Sequence, residues 1–255
     1  MSSTFQLLTA AESSPKLAHE LGLTLQHESA VLYLAPHTFA GRGNLCAGAS
    51  AGCINGCLGL YSGRADIVKR GDTSNTVRDA RIRKAQLFFD DFATFKAQLV
   101  SDIAKHVKRC HKNGKLPAVR LNGSSDVPWE RIIRDVFEQF ADVTFYDYTK
   151  LPPSKRQNLP KNYTLTFSYS GENLDACGEA LRAGWNVAAV LKVAPSEAMP
   201  LFLRDLNPWH PLAALPVIDG DVHDQRFLDP KGVIVGLRPK GRLRKARTSF
   251  VIGSL

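Results

Sequence analysis

NVAAVLKV, residues 186–193, carries Asn186 and Lys192 as its only polar residues. A strand covered on both faces needs such an unbroken apolar run, whereas a strand with one wet face alternates. Upstream, Glu172–Ala183 reads as a helix stopped by Gly184, and YTLTFSY (163–169) as a strand of β-branched and aromatic residues. Val143–Asp147 reads as a strand. Pro128–Phe140 reads as an amphipathic helix with Trp129, Ile132, Ile133, Val136 and Phe137 inward, and Leu116–Leu121 as a further strand. Strand and helix alternating at this spacing predict right-handed crossovers and a parallel sheet.

Ser29–Ala35 supplies the first core strand and Leu215–Ile218 a last one. Thr73, Ser74 or Asn75 caps a helix through Phe88, and Phe89, Phe92, Phe95, Leu99, Ile103 and Val107 continue a second to about Cys110. Asn113-Gly114 stops it. A short helix is expected at Pro15–Leu21 and one helical turn at Arg64–Lys69. The expectation is one α/β domain over residues 1–255, with the sheet either open and doubly wound or a partial parallel (β/α) barrel.

A hydrophobic share of 44% and a charged share of 22% are those of a water-soluble globular chain. MSSTFQLLTAAESSPK lacks the basic start and apolar core of a signal peptide, and no apolar run reaches membrane-span length, so a cytoplasmic location is expected. Five cysteines in such a chain argue against a disulfide framework. The net charge of +9 suits a polyanionic partner such as nucleic acid, although many basic faces touch only water. Part of the excess sits in the C-terminal segment 238–247.

NLCAGASAGCINGCLGLYSGR, residues 44–64, places Cys46, Cys53 and Cys57 at C-x6-C-x3-C spacing among small residues. Small side chains let backbone wrap closely around another group. Zinc ligands usually come as close pairs, and a fourth ligand would have to be Cys110, Cys177 or a histidine such as His37, none in a matching pair. Three inert cysteines within twelve residues of a glycine-rich loop fit core packing poorly. The spacing points to an iron–sulfur cluster, with zinc and packing as the alternatives. With three thiolates on four irons, one iron is left for a further ligand. The loop follows the first core strand, and in parallel α/β folds such post-strand loops build the site. The same logic adds Asn122-Gly123-Ser124-Ser125-Asp126, Asp147-Tyr148-Thr149-Lys150 and Ser168-Tyr169-Ser170-Gly171-Glu172.

CAGASAGCINGCLGLYSGR (46–64), RLNGSSDVPWE (120–130), FYDYTK (145–150) and DGDVHDQRFLDPKGVIVGLRPKG (219–241) together resemble a group of uncharacterised bacteriophage proteins with a radical-SAM-like cysteine loop. The spacing departs from the usual C-x3-C-x2-C of radical S-adenosylmethionine proteins, and Leu58 stands where an aromatic residue follows the last cysteine. The resemblance implies a partial barrel like the radical-SAM core and a 4Fe-4S cluster on Cys46, Cys53 and Cys57. It also implies S-adenosylmethionine as a further cofactor, and a location in the host cytoplasm. Asn122, Ser124, Ser125, Asp126, Asp147 and Ser168 are then the candidate cofactor-binding residues, with no catalytic residue assigned. A one-electron donor and an unidentified substrate would be the partners. The competing reading is a non-enzymatic cluster or zinc protein that binds nucleic acid or a host protein.

DGDVHDQRFLDPKG, at 219–232, gathers Asp219, Asp221, His223, Asp224 and Asp229, which suits hard cations. Its Asp-Gly and Asp-Pro pairs are equally turn chemistry, and that reading is preferred. His106 and Cys110 on the second long helix, and Cys177 on the later one, read as structural.

Overall fold

The computed structural model describes residues 6–10, 25–61, 75–203, 206–207 and 210–253. Nine strands make a mostly parallel, open sheet, and the described residues cluster into two compact units. The first unit takes residues up to Cys46, those from 75 to Asp147, and Asn158–Thr164. The second takes those from Ala47, Tyr148–Gln157, and those from Leu165 onward. The short helix expected at Pro15–Leu21 and the helical turn expected at Arg64–Lys69 lie outside the described residues.

In the first unit β1 (Leu8–Thr9) runs antiparallel to β2 (His27–Leu32), which pairs in parallel with β3 (Leu116–Arg120), and β3 with β4 (Thr144–Thr149). The long connection from β2 to β3 carries α3 (Thr76–Asp90) and α4 (Phe92–Lys112). Asn75 caps α3, its Oδ1 accepting the Val77 and Arg78 N–H groups at 3.1 Å each. Asp91 breaks the run and restarts it, capping α4 through the Thr94 N–H at 3.0 Å. Phe95, Leu99, Asp102, Ile103, His106 and Cys110 form the buried face of α4 at three- and four-residue steps.

The segment expected as one helix over 128–140 is two short ones, α5 (Trp129–Ile132) and α6 (Arg134–Gln139), broken at Ile133. The reason is an anchor: Trp129 Nε1 donates to Asn122 Oδ1 at 3.0 Å, and its ring stacks on Phe95 at 6.1 Å. Holding Trp129 there re-aims the first turn, so Ile132 is exposed while Ile133, Val136 and Phe137 stay buried.

The second unit continues β5 (Tyr163–Ser168), followed by α7 (Leu174–Arg182), β6 (Val187–Leu191), β7 (Val217–Asp219), β8 (Ile234–Leu237) and β9 (Val251–Ile252). β6 pairs in parallel with β5, β8 and β9, and β8 also with β7. Val187, Ala189 and Leu191 on β6 pack with Phe167, Cys177, Ala180, Val217 and Ile234. Gly184, at φ +77°, ends α7 as expected. Among the described residues the strands stop without closing a barrel: β1 pairs there with β2 alone and β7 with β8 alone.

Two buried charges fasten β1. Asp102 Oδ2 accepts the N–H groups of Leu7 and Leu8 at 2.6 and 3.2 Å, and its Oδ1 accepts from Gln98 at 2.8 Å. Lys84 donates to the Leu7 carbonyl at 2.6 Å, and burial brings its pKa down to about 8 against the pull of Asp102. Asp102→Ala strands three donors in the interior, so urea unfolding should show a loss of about 2–5 kcal/mol, with Leu7 and Leu8 amides exchanging fastest. Asp102→Asn keeps one acceptor oxygen and should recover part of it. A loss below about 0.5 kcal/mol would mean that β1 is held by its strand pairing alone.

Candidate metal centre

Cys46 belongs to the first unit, Cys53 and Cys57 to the second, and none of the three is in a disulfide. The chain reaches Cys46 through a left-handed His37, at φ +52°, whose N–H donates to the Cys46 sulfur at 3.2 Å. The Cys46 N–H is held by Asn44 Oδ1 at 2.8 Å. Cys46 also forms an isolated parallel bridge with Asp126, whose N–H donates to the Leu45 carbonyl at 2.8 Å. The Cys46 sulfur lies 3.9 Å from the Ser124 carbonyl. Within this unit the loop after β2 and the loop after β3 therefore meet at Cys46.

Close approach makes that meeting possible. Gly123 sits where a Cβ would come within 2.7 Å of the Leu32 carbonyl oxygen and 2.6 Å of Val31. Ser124 Oγ donates to the Leu34 carbonyl at 2.6 Å.

Asn122, Ser125 and Asp147 are brought together, and their side chains bind one another. The buried Asp147 carboxylate accepts the Asn122 N–H at 2.6 Å, its Nδ2 at 3.3 Å and the Tyr163 hydroxyl at 2.7 Å. Asn122 Oδ1 accepts from Ser125 Oγ, the Val127 N–H and Trp129 Nε1 at 2.9, 2.9 and 3.0 Å. These groups fix the loop after β3. Ser168 ends β5 in the second unit, and its carbonyl accepts from Asn173 at 3.0 Å.

In the second unit Ser50 caps α1 (Ala51–Asn55): its Oγ accepts the Cys53 N–H at 3.2 Å and donates to the Ser170 carbonyl at 3.3 Å. Cys57 opens α2 (Leu58–Tyr61), its carbonyl accepting from Leu60 and Tyr61 at 3.1 and 2.8 Å. Burial pushes the Cys57 thiol up from its ordinary value. The Gly59 and Leu60 N–H groups and the Lys150 ammonium favour the thiolate, while a charged Cys53 would oppose it.

The glycines of this stretch have occupants already. A Cβ at Gly48 would meet the Lys150 backbone at 3.1 Å, and one at Gly56 the Leu243 side chain at 2.3 Å. The segments after β4 and β5 and before β9 thus converge on α1.

A second metal-type grouping, which sequence spacing does not suggest, is Glu28, His106 and Cys110, all buried, with ligand atoms within 4.8 Å of one another. His106 Nε2 sits 3.1 Å from the carbonyls of both Glu28 and Ala118, so it straps β2 to β3. Arg109 Nη2 lies 2.7 Å from Glu28 Oε1 and 3.2 Å from His106 Nδ1. A divalent cation would have to displace that guanidinium, and burial holds the Cys110 thiol up to about 12. The grouping is structural, as expected for His106 and Cys110.

The acidic loop at 219–232 is likewise occupied by its own cations. Arg238 Nη1 lies 2.9 Å from Asp219 Oδ2, and Lys240 Nζ 2.7 Å from Asp221 Oδ1. Arg226 Nη1 lies 3.3 Å from Asp229 Oδ2, with both side chains buried.

A family model described as gene product 88 matches residues 6–253, and the chain belongs to that family. No curated protein and no solved structure matches it.

Two measurements check this account. Burial raises Cys110 and Cys177 to about 12. Iodoacetamide at pH 8, applied to metal-free protein, should therefore label Cys46, Cys53 and Cys57, and should reach Cys110 and Cys177 only after unfolding. Mass mapping that finds Cys177 labelled in native protein would refute the buried assignment.

Burial raises Asp229 from 3.8 to about 6, so between these values the folded state keeps a proton that the unfolded state has lost. Stability from this group therefore falls as pH rises through that window, by about 3 kcal/mol for two pKa units. Thermal melts of Asp229→Asn should lack this downward slope.

Proposed function

We propose that this member of the gene product 88 family is an iron–sulfur protein whose 4Fe-4S cluster is held by Cys46, Cys53 and Cys57. The observation that carries the reading is the backbone donor at the Cys46 sulfur, with the local backbone at Cys57 also favouring its thiolate. The His37 N–H lies 3.2 Å from the Cys46 sulfur, and the Gly59 and Leu60 N–H groups favour the Cys57 thiolate. N–H groups aimed at sulfur stabilise a ligating thiolate and tune the metal it holds. Chain connectivity supports the set, because only six residues separate Cys46 from Cys53 and three separate Cys53 from Cys57.

The cluster would supply one-electron chemistry and, at the iron without a cysteine, a place for a chelating ligand. The resemblance to radical-SAM proteins makes S-adenosylmethionine that ligand. The protein's own residues have narrower tasks. Ser50 fixes the start of α1 and so the place of Cys53. Lys150 offsets negative charge at Cys57. The bonds among Asn122, Ser125 and Asp147 hold the loop next to Cys46 in one shape.

Anaerobic purification followed by iron and sulfide assay tests the proposal. About four of each per chain are expected, with a broad visible absorption band. Serine at Cys46, Cys53 or Cys57 should reduce both several-fold, and Cys177→Ser should not. Zinc in place of iron would sink it. Reduction with dithionite in the presence of S-adenosylmethionine separates the finer part. Release of 5′-deoxyadenosine supports the radical-SAM reading, and none limits the protein to a redox or structural cluster.

A further inference from the structure

Six cations lie between residues 238 and 247, and they fall into two sets. Arg238 and Lys240 are neutralised by Asp219 and Asp221. Arg242, Arg244, Lys245 and Arg247 are exposed, and none has an ion pair among the described residues. Lys192, also exposed, joins them by donating to the Arg244 carbonyl at 3.1 Å.

These five charges sit on a fixed scaffold. Gly241–Arg244 is a 3-10 turn whose Leu243 is buried against Phe250 and Val251, with Cys53 of α1 and Val190 of β6 packed on the same cluster. The Arg242 guanidinium lies over the Tyr61 ring, 3.6 Å from its centroid.

We propose that this turn is a docking surface for the phosphodiester backbone of a nucleic acid. Guanidinium groups match phosphate oxygens in pairs, and several held on one short turn match the spacing of a strand better than isolated lysines would. A guanidinium laid on an aromatic ring is also a flat platform on which a base can stack. A lipid surface would be met by apolar side chains inserted beside the cations. On this turn the large apolar residue, Leu243, points inward, which favours nucleic acid.

Fluorescence anisotropy with a labelled 20-nucleotide oligothymidylate and a labelled 20-base-pair duplex tests the surface. With about four or five phosphates neutralised, affinity should fall by about two orders of magnitude between 50 and 200 mM salt. The triple variant Arg244→Glu, Lys245→Glu, Arg247→Glu breaks no side-chain hydrogen bond or ion pair among the described residues, so its circular dichroism should match wild type. It should lose at least about tenfold in affinity at 50 mM salt, and its salt slope should drop by about 2–3.

Arg83→Glu, Lys108→Glu, Lys161→Glu makes the same change in net charge at exposed residues of the first unit and should keep most of the affinity. An equal loss in both variants would mean net charge alone, and the proposal falls. It falls too if neither oligonucleotide binds, or if phosphatidylserine vesicles bind and the oligonucleotides do not.

Discussion

The Asp147 carboxylate, fully buried at the end of the first unit's part of β4, is the constraint on which that unit's loops depend. An ionised carboxylate cannot stay in the interior without donors, and here the Asn122 N–H, the Asn122 amide and the Tyr163 hydroxyl supply them. Satisfying Asp147 orients Asn122, and Asn122 in turn has only one way to face Ser125, Val127 and Trp129. The backbone that follows β3 is thereby fixed from Asn122 to Trp129, including Ser124 and Asp126, which adjoin Cys46. A charge at the base of the loop thus determines what surrounds a sulfur at its top.

The second unit solves the same problem with apolar contact. α1 and α2 are too short to be stable alone, since the first hydrogen-bonded turn of a helix is a net cost. They persist because Ser50 caps one and because Leu243, Phe250 and Val251 pack on them. The glycines that look in the sequence like room for a ligand are therefore partly room for the protein's own C-terminal segment. A side chain at Gly56 would clash with Leu243, and one at Gly48 would press tightly on Lys150. The same neighbours reach the cysteines: Cys53 packs against the cluster of Leu243, Phe250 and Val251, and the Lys150 ammonium acts on Cys57.

The parallel core was legible because strands covered on both faces have to be apolar, and β2 to β6 were all expected within a few residues. β1, β8 and β9 were not expected. Two of them are two residues long, and β8 contains Gly236, so each exists through pairing with a distant partner and leaves no local pattern. The break at Ile133 was hidden for a similar reason, since the apolar period runs through it and the cause lies at Asn122. The loop after β3 shows the deeper ambiguity. Polar residues following a strand look alike whether they await a ligand or bind each other, and the sequence carries nothing that separates the two. Glu28 was missed altogether, because a charge inside a strand is understood only with Arg109 and His106 beside it.

The cysteines put the same side chain in contrasting surroundings. Cys177 and Cys110 lie in the core, where burial outweighs every other influence and both remain thiols. Cys57 is also held up by burial, yet two backbone N–H groups and an ammonium work against it. A residue used only for packing gains nothing from such donors, because a thiol accepts hydrogen bonds weakly. Their benefit appears when the sulfur is a thiolate, and a bound metal is what keeps a half-buried thiolate stable. Cys46, with the His37 N–H turned toward it by an unusual backbone conformation, follows the same logic. Left-handed backbone at a residue other than glycine is itself unfavourable, and the bonds at His37, to the Cys46 sulfur and from the Leu45 N–H, are what offset it. The proposed cluster would give the bond to sulfur its worth.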